Sequence, residues 1–144
     1  MCGDLYMRIA VIDGQGGGIG KLIIEVLKAE APLGMEVIAL GTNALATSTM
    51  LKAGADFGAS GENAIIFNVS RVDLILGPIG IVLANSMMGE LTPIMAKAVS
   101  SCTAPKILLP LNKCGIEIIG TTSEPLPELV KIMVDKVVKS YLSS

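Results

Sequence analysis

The chain alternates between short stretches that are apolar throughout and longer ones whose apolar residues recur every three or four positions. The first pattern suits strands covered on both faces, and the second suits helices with one buried side. Arg8–Asp13 (RIAVID) reads as a strand ending in an acid. Ile19–Glu30 reads as a helix with Ile19, Ile23, Val26 and Leu27 on one face and Lys21, Glu25 and Lys28 on another, stopped by Ala31-Pro32-Leu33-Gly34. Glu36–Leu40 is a second strand, and Asn43 caps a helix, ALATSTMLKAG, that ends at Gly54. Residues 55–71 allow two readings: a helix from Gly61 to Ser70, capped by Ser60, with Ile65, Ile66 and Val69 inward, or a strand over Ala64–Val69.

Asp73–Leu76 (DLIL) is a strand closed by Gly77-Pro78, and the pattern predicts a helix over Ile79–Met88. Thr92-Pro93 opens another helix, a cap followed by proline at the first helical position. Ile107–Leu109 and Ile116–Ile119 are strands separated by Pro110 to Gly115, too few residues for a parallel crossover, so an antiparallel hairpin is expected. One long helix, Pro125–Leu142, ends the chain, with Leu126, Leu129, Val130, Met133, Val134, Val137, Val138 and Tyr141 at helical spacing. Alternating strands and helices predict an α/β fold: a Rossmann-like three-layer sandwich, mostly parallel, with an antiparallel C-terminal edge hairpin and a long C-terminal helix.

Composition narrows the class. With 144 residues, the chain forms one domain. Apolar residues make up 51% and charged residues 17%, the reverse of a disordered chain, and enough apolar surface to favour self-association, a homodimer being the simplest form. The net charge of −2, without a basic stripe, argues against nucleic acid. Lysines stand singly, and the longest uncharged stretch, Leu74–Gly89, is short and interrupted by glycine and proline, so no membrane association is expected. No apolar leader is seen, and a cytoplasmic setting follows. Cys2, Cys102 and Cys114 read as free thiols, and no metal site is expected in a chain without histidine.

The strongest motif is Asp13-Gly14-Gln15-Gly16-Gly17-Gly18-Ile19-Gly20, between the first strand and the first helix. Glycines let a backbone turn sharply and come close to a ligand, while the first helical N–H groups and the helix dipole attract an anion. The spacing fits G-x-x-x-G-x-G through Gly14, Gly18 and Gly20, and resembles the cofactor loop of short-chain dehydrogenase/reductases. It is not a P-loop, because Gln15 and Leu22 replace the required glycine and hydroxyl residue. The alternative is a turn that needs glycine only for close strand–helix packing.

Ligands of open α/β sheets bind beyond the carboxyl ends of the strands. That edge gathers Gly41, Thr42 and Asn43 after the second strand, Gly77 and Pro78 with Ile79 and Gly80 after DLIL, and Pro110, Leu111, Asn112 and Lys113 after ILL. An NAD site usually shows an acid at the end of the second strand, which here reads Gly41-Thr42-Asn43. Asn43 has an equal claim as a plain helix cap, and Thr47 faces either way. Asn85 and Ser86 interrupt an apolar segment and need partners. Neither Tyr6 nor Tyr141 begins Tyr-x-x-x-Lys, no histidine is present for a Ser or Cys triad, and Glu62 and Asp73 form no evident pair.

MRIAVIDGQGGGIGK, ALGTNALATSTMLKAGA, SGENAI and LGPIGIVLANSMMGELTP together resemble a bacterial family of small Rossmann-like proteins known as a domain of unknown function. The resemblance runs from Met7 onward, with Met1–Tyr6 as an N-terminal extension. It implies the fold and a bacterial cytosolic setting, and supplies no catalytic residue. The expectation is a small nucleotide- or dinucleotide-binding protein, with NAD or NADP favoured, in a sensor or accessory role. Two alternatives stay open: a small oxidoreductase completed by a dimer mate or partner, and a structural protein with a relic glycine loop.

Overall fold

The computed structural model describes residues 6–31, 33–111 and 115–142. Five strands, β1 (Met7–Asp13), β2 (Met35–Gly41), β3 (Phe57–Ser60), β4 (Leu74–Pro78) and β5 (Lys106–Leu109), pair in the order β3-β2-β1-β4-β5. Every pairing is parallel. β1 lies at the centre, aligned with β2 from Met7↔Met35 to Asp13↔Gly41. Alternate residues of β1 point to opposite faces. Ile9 and Val11 enter one core with Ile23, Ile24 and Leu27 of α1 (Gly18–Glu30), Met50 of α2 (Ala44–Lys52) and Val130, Met133, Val134 and Val137 of α5 (Leu126–Val137). Ala10 and Ile12 enter the other, with Ile65 and Val69 of α3 (Glu62–Val69) and Met95, Ala96 and Val99 of α4 (Pro93–Ser101). The result is the expected three-layer α/β sandwich.

The strand order has one reversal. The chain steps outward from β1 to β2 to β3, then returns across the sheet through α3 to β4 on the other side of β1. The reversal falls beside β1, and in open α/β sheets ligands bind at the carboxyl edge at such a point.

Four local expectations are corrected. Among the described residues the antiparallel hairpin does not form: β5 pairs with β4, and residues 116–119 are not a strand. Pro110 follows β5 and offers no N–H to a ladder, and the chain then crosses to lay the apolar stripe of α5 beside α1. Ile119 is left 96% exposed. Second, the helix over residues 79–88 shrinks to a single 3-10 turn, Ile79–Val82, because Asn85, Met87 and Met88 take left-handed φ values of 67°, 57° and 57°. Third, of the two readings of residues 55–71 the helix holds, as α3 preceded by β3, but Gly61 rather than Ser60 stands at its cap and Ile66 faces outward rather than in. The four-residue edge strand is mostly exposed and carries no apolar run to announce it. Fourth, the C-terminal helix is regular only to Val137 and closes in a wider turn, Val138–Leu142. Cys2, Pro32, Asn112, Lys113 and Cys114 lie outside the described residues. Among the described residues, no helix is long and apolar enough to cross a membrane.

Gly77 is a packing glycine. It lies buried in β4, and a Cβ there would sit 2.5 Å from the Ile12 carbonyl oxygen of β1. Gly77→Ala should force the central strands apart and lower stability by about 1–3 kcal/mol, read as a drop in the urea midpoint of circular dichroism. An unchanged midpoint would show that β1 and β4 yield freely.

Candidate functional site

The site begins with a charge inside the protein. Asp13 ends β1 and is only 2% exposed. Its Oδ2 accepts the N–H of Gly20 at 2.7 Å and its Oδ1 that of Gly14 at 2.8 Å. The carboxylate thus bridges the strand end and the first turn of α1, where a helix favours an anion. Burial pushes the Asp13 carboxyl above its ordinary value, against the pull of the Gly20, Gly14 and Ile19 amides, and the nearby charge of Glu90 adds to the rise. A protein carboxylate therefore already uses part of the donor set at this helix start.

Three of the loop's five glycines answer to packing or to backbone shape. Gly17, the cap of α1, has φ 76°, and a Cβ there would lie 2.8 Å from the Ala46 carbonyl oxygen. A Cβ at Gly14 would press on Met87 Sδ and Thr42 Oγ1, each at 2.6 Å, and one at Gly20 would strike Met50. Gly16 and Gly18 differ. Both are exposed, neither has positive φ, and no atom lies within 4 Å of where their Cβ would be. Among the described residues, no acceptor takes the N–H of Gly16 or Gly18.

The loop after β2 completes one wall. Asn43 is the expected cap of α2, its Oδ1 accepting from Ala46 N at 2.8 Å, while its Nδ2 donates to the Gln15 carbonyl at 3.0 Å. Thr47 turns inward: its buried Oγ1 accepts from Gly41 N at 3.1 Å and from Ser60 Oγ at 2.7 Å, tying the ends of β2 and β3 together. Gly41, Gly77 and Pro78 are buried in the sheet and make its floor rather than an open wall. Ser86 finds its partner in the Gly80 carbonyl at 2.5 Å, whereas Asn85 is exposed.

The residue that the sequence did not single out is Glu90. It arrives on the loop after β4, and its Oε1 accepts from Gln15 N at 2.7 Å, Thr42 Oγ1 at 2.7 Å and Asn43 Nδ2 at 2.9 Å. Thr42, then the Gln15 amide, hold the Glu90 carboxyl below its ordinary value; partial burial opposes them and Asn43 assists. One signal was available: Glu90 is the first charge after the uncharged stretch Leu74–Gly89, on the edge where ligands of such sheets bind. Asp73, by contrast, serves the opposite edge, where its Oδ2 accepts from Arg8 N. Among the described residues, no cluster of His, Cys, Asp and Glu could hold a metal ion.

The two acids act on stability with opposite signs. Glu90, lowered in the fold, contributes stability that is complete above its unfolded value and is lost as the pH falls. Asp13, raised in the fold, contributes stability that is present below its unfolded value and declines as the pH rises through its folded one. Asp13→Asn should cost about 1–3 kcal/mol, since an amide N–H2 would face one of the two backbone donors. That deficit should widen on acidification through the raised Asp13 value. Urea unfolding followed by circular dichroism across the acid range checks this, and a deficit that stays constant with pH contradicts the upward shift.

Solved structures with a related backbone share little sequence. A dodecameric FMN-dependent UbiX-like decarboxylase from Escherichia coli O157:H7 is 16% identical, with 94% of each chain covered and a TM-score of 0.44. A probable oxidoreductase from Mycobacterium abscessus is 18% identical, with 94% of this chain and 44% of the other covered and a TM-score of 0.45. No curated protein matches the sequence. Residues 8–142 match the domain of unknown function DUF3842, and the chain belongs to that family.

Proposed function

We propose that the protein binds a nucleotide-type small molecule, with a phosphate seated on the backbone of Gly16–Gly18 and the neighbouring sugar or second phosphate against Thr42 and Asn43. The observation that carries this reading is the pair Gly16 and Gly18. Neither packing nor backbone conformation asks for glycine there, yet a missing side chain in an interior or helical position costs about 0.5–1 kcal/mol relative to alanine. A bare ribbon at a helix start is useful when something from outside must come close. Asp13 supports the reading by fixing both ends of the loop, between which Gly16 and Gly18 stay exposed. NAD and NADP remain the favoured ligands, in a sensor or accessory role.

The test is thermal stability of the full chain with NAD, NADP, FMN and ATP in turn. A nucleotide at 100 times its dissociation constant should add about 2.7 kcal/mol. Gly18→Val should fold as the parent does, because space lies open beside Gly18, and should lose the stabilisation. A chain that none of these nucleotides stabilises, or a Gly18→Val variant that keeps the full effect, refutes the site.

A further inference from the structure

Resting on that reading, we propose that Glu90 is an internal latch: in the ligand-free protein its carboxylate occupies the donors that a ligand's anionic oxygen would take, and it must swing out for binding. Three donors from two separate loops converge on one oxygen: the Gln15 amide, the Thr42 hydroxyl and the Asn43 side-chain amide. Such a set, built from a glycine-loop N–H and two neutral polar groups, suits a negatively charged oxygen. The same donors cannot serve Glu90 and a phosphate at once, so the two compete.

The segment carrying Glu90 suits this role. Its base is pinned: Asn85 N donates to the Leu91 carbonyl at 2.7 Å, Ser86 is buried against Gly80, and Met87 is buried against Gly14. Its outer part, Met88 and Gly89, is exposed, yet the Gly89 and Glu90 amides donate to the Asn85, Ser86 and Met87 carbonyls, so the backbone is held and the Glu90 side chain is the part left to move. Asn85, Met87 and Met88 all hold left-handed backbone, a conformation kept only when the surroundings demand it. This geometry aims Glu90 at the loops after β1 and β2. A half-buried glutamate reaches the loop through its own flexible stem, so release requires rotation of one side chain and leaves the fold intact. Release also separates two like charges, because the Glu90 carboxylate lies close enough to disfavour ionisation of Asp13.

Calorimetric titration of the wild type, Glu90→Ala and Glu90→Gln with the same panel of NAD, NADP, FMN and ATP tests the latch. If the latch is closed about nine-tenths of the time, Glu90→Ala binds about tenfold tighter than wild type. Glu90→Gln keeps an acceptor oxygen without the charge and should fall between the two. Without any nucleotide, the Gln15 amide should exchange its hydrogen at least about tenfold faster in Glu90→Ala, while the amides of β1 and β2 keep their wild-type protection, which excludes general loosening. Equal or weaker binding by Glu90→Ala, where the wild type binds, overturns the latch and leaves the nucleotide reading standing. If none of the three chains binds any probe, the nucleotide reading fails and the latch falls with it.

Discussion

A carboxylate taken out of water must find hydrogen-bond donors, and Asp13 finds them at Gly14 and Gly20, on either side of the glycine loop. That constraint shapes everything around it. It fixes the distance between the last residue of the central strand and the first turn of α1. It requires glycine at position 20, where Met50 and the Asp13 side chain crowd the backbone. It also decides which parts of the loop face outward. Asp13 takes the amides of Gly14 and Gly20 and Glu90 that of Gln15, while among the described residues no acceptor takes those of the exposed Gly16 and Gly18. The helix start thus already holds an internal carboxylate.

The topology then brings the rest of the site to this point. Because β1 is central and the strand order reverses beside it, the loops following β1, β2 and β4 meet at one edge, although Thr42 and Glu90 are 48 positions apart in the sequence. Gln15 is the meeting place: its amide reaches Glu90 and its carbonyl receives Asn43. The floor below is made by residues whose work is packing. Gly41 accommodates Thr47, and Gly77 lets β4 approach β1. A polar rim rests on a dry base, an arrangement common to small-molecule sites.

Much of this was legible in the sequence, for reasons that differ by element. The central strands and α1, α2, α4 and α5 announce themselves because burial on one or two faces imposes a periodicity that sequence displays. Asn43 and Thr92 were readable as caps, since each accepts a backbone N–H at the position that residue type favours. The expected hairpin and the expected helix after β4 failed together, and both failures are tertiary. Apolar residues at Ile116 and Ile119 mimic a strand but end exposed. The Asn85–Met88 stretch has helical composition, yet it folds as turns whose base is closed across Leu91. Of the site, the glycine loop, Thr42 and Asn43 were visible. Glu90 was not, because its role depends on where a distant loop lands, and nothing local to NSMMGELTP specifies that.

The position of β1 also has a bearing on how the molecule comes into being. β1 is made before both of its partners: it gains β2 as a neighbour early, but its other edge stays bare until Leu74 is made. At roughly 5–20 residues per second, the intervening synthesis takes several seconds. Through that interval the nascent chain carries an unpaired strand edge, apolar from Ile9 to Ile12. Its last ladder closes only when the second half of the chain folds back beside the first.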